Sequence, residues 1–85
     1  MKIKLIDFWA PWCGPCRIMK PVIEELEKEL KDVEVMEVNV DEKPEEANKF
    51  GVMSIPTFVV IKDEKETGRK IGVVSKAELL KLVNG

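Results

Sequence analysis

The stretch Phe8-Trp9-Ala10-Pro11-Trp12-Cys13-Gly14-Pro15-Cys16-Arg17 decides how the rest of the chain is read. Before it, Ile3, Leu5, Ile6, Phe8 and Trp9 first alternate and then run together, with Lys2 and Lys4 at the exposed beginning. That pattern predicts a strand over 2–9, buried on both faces at its far end. After it, Ile18, Val22, Leu26 and Leu30 recur every four residues and, with Met19 and Ile23, form one apolar helix face. Glu24, Glu25, Glu27, Lys28, Glu29 and Lys31 cover the other side, and Pro21, inside the pattern, predicts a kink. Residues 10–15 are the loop between strand and helix. Two cysteines therefore stand at a helix start, where free backbone N–H groups and the helix dipole favour an anion. A cysteine there ionises more easily, and the thiolate is the nucleophile. Cys13 is expected to be the exposed member at the helix tip. Cys16 lies about one turn inside, facing nearly the same way, with Gly14 and Pro15 keeping the turn tight.

Working outward, Val33, Val35, Met36, Val38 and Val40 predict a second strand over 33–40. Asp41 is placed to cap a short helix over 43–49, with Pro44 in its first turn and Gly51 just past its end. Residues 50–55 form a loop into Pro56. Thr57-Phe58-Val59-Val60-Ile61 is a third strand, Lys62-Asp63-Glu64-Lys65 a charged turn, and 66–71 a weaker fourth strand, so the pair reads as a hairpin. Ser75-Lys76-Ala77-Glu78 is a capping-box pattern opening a helix with Leu79, Leu80, Leu82 and Val83 inside. The order is βαβαββα. The expected fold class is α/β: a four-stranded mixed sheet, its first pair parallel, with helices on both faces in a single domain over 1–85.

Composition removes many functions. The 85 residues are 45% hydrophobic and 35% charged, proportions of a small compact domain. The charge balance is 14 basic against 16 acidic residues, net −2, without a basic block, so nucleic acid is not an expected ligand. No apolar run reaches the length of a membrane span. Asp7 interrupts what a signal peptide would keep uncharged, so the expected compartment is the reducing cytoplasm. The absence of histidine excludes imidazole acid–base catalysis and His-based metal sites. Two cysteines are too few for a disulfide scaffold.

Three other uses of a cysteine pair compete with redox chemistry. A structural disulfide across so small a loop removes little chain entropy. Zinc needs four ligands, which two cysteines without histidine supply only across a dimer. Burial of both as small hydrophobes is open to any cysteine. Motif and context favour dithiol redox chemistry, with no metal or cofactor.

From Asp7 through Cys16 the chain closely resembles the thioredoxin active site. The resemblance continues through Asn39-Val40-Asp41, Phe50-Gly51-Val52, Ser54-Ile55-Pro56-Thr57 and Gly72 with Ser75-Lys76, in collinear order over nearly the whole chain. It implies a protein-disulfide reductase and electron carrier. Cys13 would attack a target disulfide, and Cys16 would resolve the mixed disulfide. Asp7 matches the family's buried aspartate, which helps Cys16 gain and lose its proton. Pro56 matches the family's cis-proline. Trp12, Gly14, Pro15, Met53, Ile55, Pro56, Gly72 and Val73 would border a groove for an extended target segment, with Trp9 as support. Taken alone, Asp7 is a polar strand residue, Pro56 a loop proline, Trp9 core, and Val73 strand-end packing.

The partners implied are a thioredoxin reductase and proteins with reducible disulfides, met by a monomer. A glutaredoxin-like enzyme, a carrier dedicated to one enzyme, and a binding module that does not use its cysteines are the alternatives. Gly14-Pro15 argues against the first, whose pattern usually has Pro-Tyr there. The chain also departs from the family. It starts directly on what is usually the second strand, which makes 33–40 a sheet edge, guarded by the charges of Glu34 and Glu37. Glu37 stands where many members carry a lysine. Burial is expected to raise the Asp7 pKa. Two orientations of Glu37 are open: inward, sharing one dry site with Asp7 and titrating with it, or outward into water.

Overall fold

The computed structural model describes residues 2–85. In chain order the elements are β1 (Ile3–Trp9), α1 (Gly14–Glu29), β2 (Val33–Asn39), α2 (Pro44–Lys49), β3 (Thr57–Lys62), β4 (Lys65–Ile71) and α3 (Lys76–Asn84). This is the expected βαβαββα order. The strands form one mixed sheet in the order β2-β1-β3-β4. β1 runs parallel to β2 and antiparallel to β3, and β4 is antiparallel to β3.

Alternation along β1 assigns its two faces. Leu5, with Phe58 and Val60 of β3, packs against Met19, Ile23 and Leu26 of α1 and Leu79 and Val83 of α3. Ile6 and Phe8, with Val38 and Val59, pack on the opposite side against Ala47 of α2, joined by Phe50. Each such side chain removed from water contributes about 1.5–3 kcal/mol, so β1 and β3 anchor both layers. The register pairs Leu5 with Val35, Asp7 with Glu37 and Trp9 with Asn39. Asp7 thus lies on the α1 face, at the end of the sheet where the cysteine loop emerges.

Local signals set the helix ends. Ser75 caps α3, its hydroxyl accepting the Glu78 N–H at 3.1 Å. Gly51, at φ +63°, follows α2 in the left-handed conformation that closes a helix without a Cβ penalty. Gly68 serves a close approach: a Cβ there would stand 2.7 Å from Leu82 Cδ1, so its hydrogen lets α3 settle on β4.

The helix α1 continues through Pro21, which is exposed, so the Arg17 carbonyl it frees is on the wet side. Three details correct the sequence reading. Asp41 does not cap α2. The N-cap is Lys43, without a side-chain bond, and the Asn39 carbonyl instead gathers the N–H groups of Glu42 and Lys43 at 3.1 and 2.9 Å. The second strand ends at Asn39, one residue early, where Asn39 Oδ1 accepts the Asp41 N–H at 2.9 Å and turns the chain. The hairpin is tighter than the four-residue turn expected: β3 extends to Lys62 and β4 begins at Lys65. Only Asp63 and Glu64 connect them, both with positive φ, 50° and 71°. A two-residue link needs that twist to match the strands.

Candidate active site

Ala10 ends β1 in a turn in which the Cys13 N–H donates to the Ala10 carbonyl at 3.1 Å. The turn makes Cys13 the N-cap of α1. Its Sγ accepts the Cys16 N–H at 3.2 Å, the place a serine hydroxyl takes in an ordinary cap. Cys13 and Cys16 are joined as a disulfide, their Cα atoms 5.3 Å apart. The free donor of the first helical turn is thus aimed at Cys13 Sγ, where it stabilises a thiolate once the bond is reduced.

The expected difference in exposure is absent. Cys13 is 4% exposed and Cys16 7%. Bonded to each other, they form a small apolar cluster with Ala10, against which Trp9, Val40 and Ile55 pack. Gly14 and Pro15, between them, face solvent.

On one side of the disulfide is a shallow apolar depression lined by Trp12, Val40, Ala47, Val52, Met53, Ser54 and Ile55. Trp12 and Met53 are exposed. The Ile55–Pro56 peptide bond is cis. Thr57 Oγ1 donates to the Ser54 carbonyl at 2.6 Å, and the Gly72 N–H donates to the Pro56 carbonyl at 2.8 Å. These bonds tie the loop before β3 to the end of β4. The depression joins Trp12, Met53 and Ile55; Gly72 connects to them through Pro56, and Val73 follows it, exposed.

On the other side, behind Cys16, is a cavity of ≈ 240 Å³ lined by Asp7, Trp9, Ala10, Pro11, Cys16, Arg17, Lys20 and Glu37. Asp7 is 5% exposed, and its Oδ1 has no partner within the protein; neither has the buried Trp9 Nε1. Burial, and then the negative charge of Glu37, push the Asp7 carboxyl up to about 7. Glu37 shares the cavity but is itself exposed. Its carboxylate is wet because β2 is the sheet edge, yet it borders the cavity that holds Asp7, so neither expected orientation holds in full. One dry carboxyl and one wet carboxyl face each other, and the charge still reaches across.

Two positioning contacts had no signal in local sequence pattern. Trp12 Nε1 donates to Asp41 Oδ2 at 2.8 Å, and Arg17 Nη2 donates to the Pro11 carbonyl at 3.0 Å. The first follows from topology: parallel β1 and β2 end side by side, with Trp9 opposite Asn39, so the residues just after each strand meet. Among the described residues, no cluster of three or more His, Cys, Asp or Glu gathers as a metal site. No helix among them is long and apolar enough to cross a membrane.

With a helix N–H aimed at Cys13 Sγ and a buried carboxyl behind Cys16, this disulfide can open and re-form by exchange with another thiol, the chemistry of a thiol–disulfide oxidoreductase. The thioredoxin family model matches residues 1–85. Thioredoxin from Bacillus subtilis strain 168 is 48% identical over 83 residues, covering 96% of this chain and 80% of that protein. Thioredoxin from Chlamydia caviae is 48% identical over 80 residues, covering 94% and 78%. Fasciola hepatica thioredoxin superposes with TM-score 0.91 at 42% identity, covering 98% of this chain and 79% of that one. Oxidised mitochondrial thioredoxin 3 from Saccharomyces cerevisiae gives TM-score 0.90 at 37% identity, covering 98% and 77%. The chain belongs to the thioredoxin family. Its activity is that of a protein-disulfide reductase working through the Cys13–Cys16 pair.

Proposed function

We propose that Cys13 is the attacking and Cys16 the resolving thiol, with Asp7 as the proton acceptor. In the reduced protein the Cys13 thiolate attacks one sulfur of a target disulfide; the S–S bond breaks and the other target sulfur leaves as thiolate. Cys16 gives its proton to the Asp7 carboxylate and attacks Cys13 Sγ. The mixed disulfide breaks, the target departs fully reduced, and the Cys13–Cys16 bond re-forms. The observation that carries this order is the hydrogen bond from the Cys16 N–H to Cys13 Sγ. It stabilises charge on Cys13, while Cys16 is the cysteine that opens onto the Asp7 cavity.

Trp12, Met53, Ile55 and Pro56 receive an extended target segment, with Gly14, Pro15, Gly72 and Val73 at its margins. The exposed apolar surface of Trp12, Met53 and Val73 supports this. The redox-active disulfide is the reacting group and needs no cofactor. The chain acts as a single-domain monomer in the cytoplasm, recharged by a thioredoxin reductase and discharged by protein disulfides.

Insulin-disulfide reduction with a thioredoxin reductase and NADPH tests the whole. The wild type should turn over, and Cys16→Ser should accumulate a covalent mixed disulfide with insulin. Cys13→Ser should form none. Reduction by glutathione but not by the reductase would point instead to a glutaredoxin-like enzyme.

A further inference from the structure

The cavity behind Cys16 holds more ionisable chemistry than a single proton acceptor requires. Asp7 on β1 and Glu37 on β2 are direct register partners, on the α1 side of the sheet and lining the same cavity. Neighbouring strands lie about 4.8 Å apart, so the two carboxyls are within the distance at which like charges compete. The environment on the remaining sides is known. From α1, Arg17 and Lys20 line the cavity. Arg17 is committed to the Pro11 carbonyl, and among the described residues neither cation forms an ion pair with Asp7 or Glu37. From β3, the neighbour of Asp7 is Phe58, fully buried and uncharged. Asp7 Oδ1 and Trp9 Nε1 have no partner within the protein, and the volume has room for several waters between them and Glu37. Asp7 therefore has one carboxylate across from it and no cation bound to it.

We propose that Glu37 is a positioning residue that sets the pH at which Asp7 can take the Cys16 proton. The proposal rests on the dithiol reading above. The resolving step needs Asp7 ionised: Cys16–SH and Asp7–COO⁻ become Cys16–S⁻ and Asp7–COOH, and the new thiolate displaces the outgoing sulfur from Cys13. A negative charge across the cavity holds the proton on Asp7 to higher pH, so the step is slowed in acid and opens towards alkaline pH. Removing the charge moves the opening to lower pH, and reversing it moves it further. Glu37 is exposed on an edge strand, so these changes leave the core intact.

The test follows the resolving step alone. Reduced protein is mixed with an aromatic disulfide, 5,5′-dithiobis(2-nitrobenzoate), in stopped flow. The first aromatic thiolate released reports Cys13 attack; the second reports Cys16 displacing the thiol from Cys13. In the wild type the second release should weaken below a midpoint near the Asp7 pKa. In Glu37→Gln the midpoint should fall by about one unit, making the second release at pH 6 about five-fold faster than wild type. Glu37→Lys should shift it further, and Glu37→Asp should retain the wild-type profile. Thermal unfolding of each variant checks that it is folded. A midpoint unmoved in both Glu37→Gln and Glu37→Lys overturns the proposal while leaving the Cys13–Cys16 assignment standing. Absence of a wild-type second release, or its persistence in Cys16→Ser, overturns the dithiol reading itself.

Discussion

At the scale of single residues, the two cysteines are distinguished by their hydrogen bonds and neighbours, since burial does not separate them. Cys13 Sγ faces a helix N–H donor, and Cys16 opens onto a cavity that already holds the Asp7 and Glu37 carboxyls. The first environment favours a thiolate and the second disfavours one. In the reduced protein at pH 7, iodoacetamide should modify Cys13 at least about ten-fold faster than Cys16. Peptide mapping after short pulses reads the ratio, and equal rates would contradict the assigned roles. Both cysteines, Asp7 and Pro56 were legible in sequence because each belongs to a compact motif. Asp41 was legible as a motif member but not for its contact. Its bond to Trp12 spans 29 positions, and nothing in the intervening pattern marks one as the partner of the other. The expected exposure of Cys13 misled because position at a helix tip says nothing about what a neighbouring loop lays over it; here Val40 and Ile55 do so.

At the scale of elements, hydrophobic period and capping chemistry were enough to place β1, α1, β3 and α3, because those signals are local. The joints were less legible. Arg69 on β4 donates to the Phe50 carbonyl at 2.7 Å across 19 positions. It also pairs with Glu66 at 2.6 Å, fastening the end of α2 to the sheet below the Pro56 loop. In the sequence it is one more charge in a weak strand. The β3–β4 hairpin shows the same limit. Four charged residues read as one open turn, whereas strand pairing continues to Lys62 and Lys65 and forces positive φ on Asp63 and Glu64. A side chain in that region costs about 1–2 kcal/mol, less for Asp than for Glu. Glu64→Gly, which creates the Asp-Gly pair favoured in such turns, should stabilise the protein by about 1 kcal/mol, read from the urea midpoint. A destabilised variant would show that Glu64 makes a compensating contact.

At the scale of the whole molecule, the site carries a stability cost that varies with pH, and its sign follows from Asp7. The carboxyl stands at about 7 in the folded protein against an ordinary 3.8, through burial first and the Glu37 charge second. Between those two values the folded protein holds a proton that the unfolded chain has released. Stability therefore declines as pH rises through that window, and the cost is complete above the folded value. That displacement corresponds to about 4 kcal/mol, a large share of the 5–15 kcal/mol that holds a typical domain. Asp7→Asn keeps the shape of the side chain and cannot ionise. At pH 8.5 the oxidised variant should exceed the wild type in urea-unfolding stability by on the order of 3 kcal/mol, and at pH 4 the two should nearly coincide. The same substitution should slow release of the second aromatic thiolate, because Cys16 then has no carboxylate to take its proton. Greater stability joined to slower resolution is the signature of a charge retained for chemistry at the expense of the fold. A constant stability difference at both pH values would instead mean that Asp7 acts through packing, and that its carboxyl is not held protonated by its surroundings.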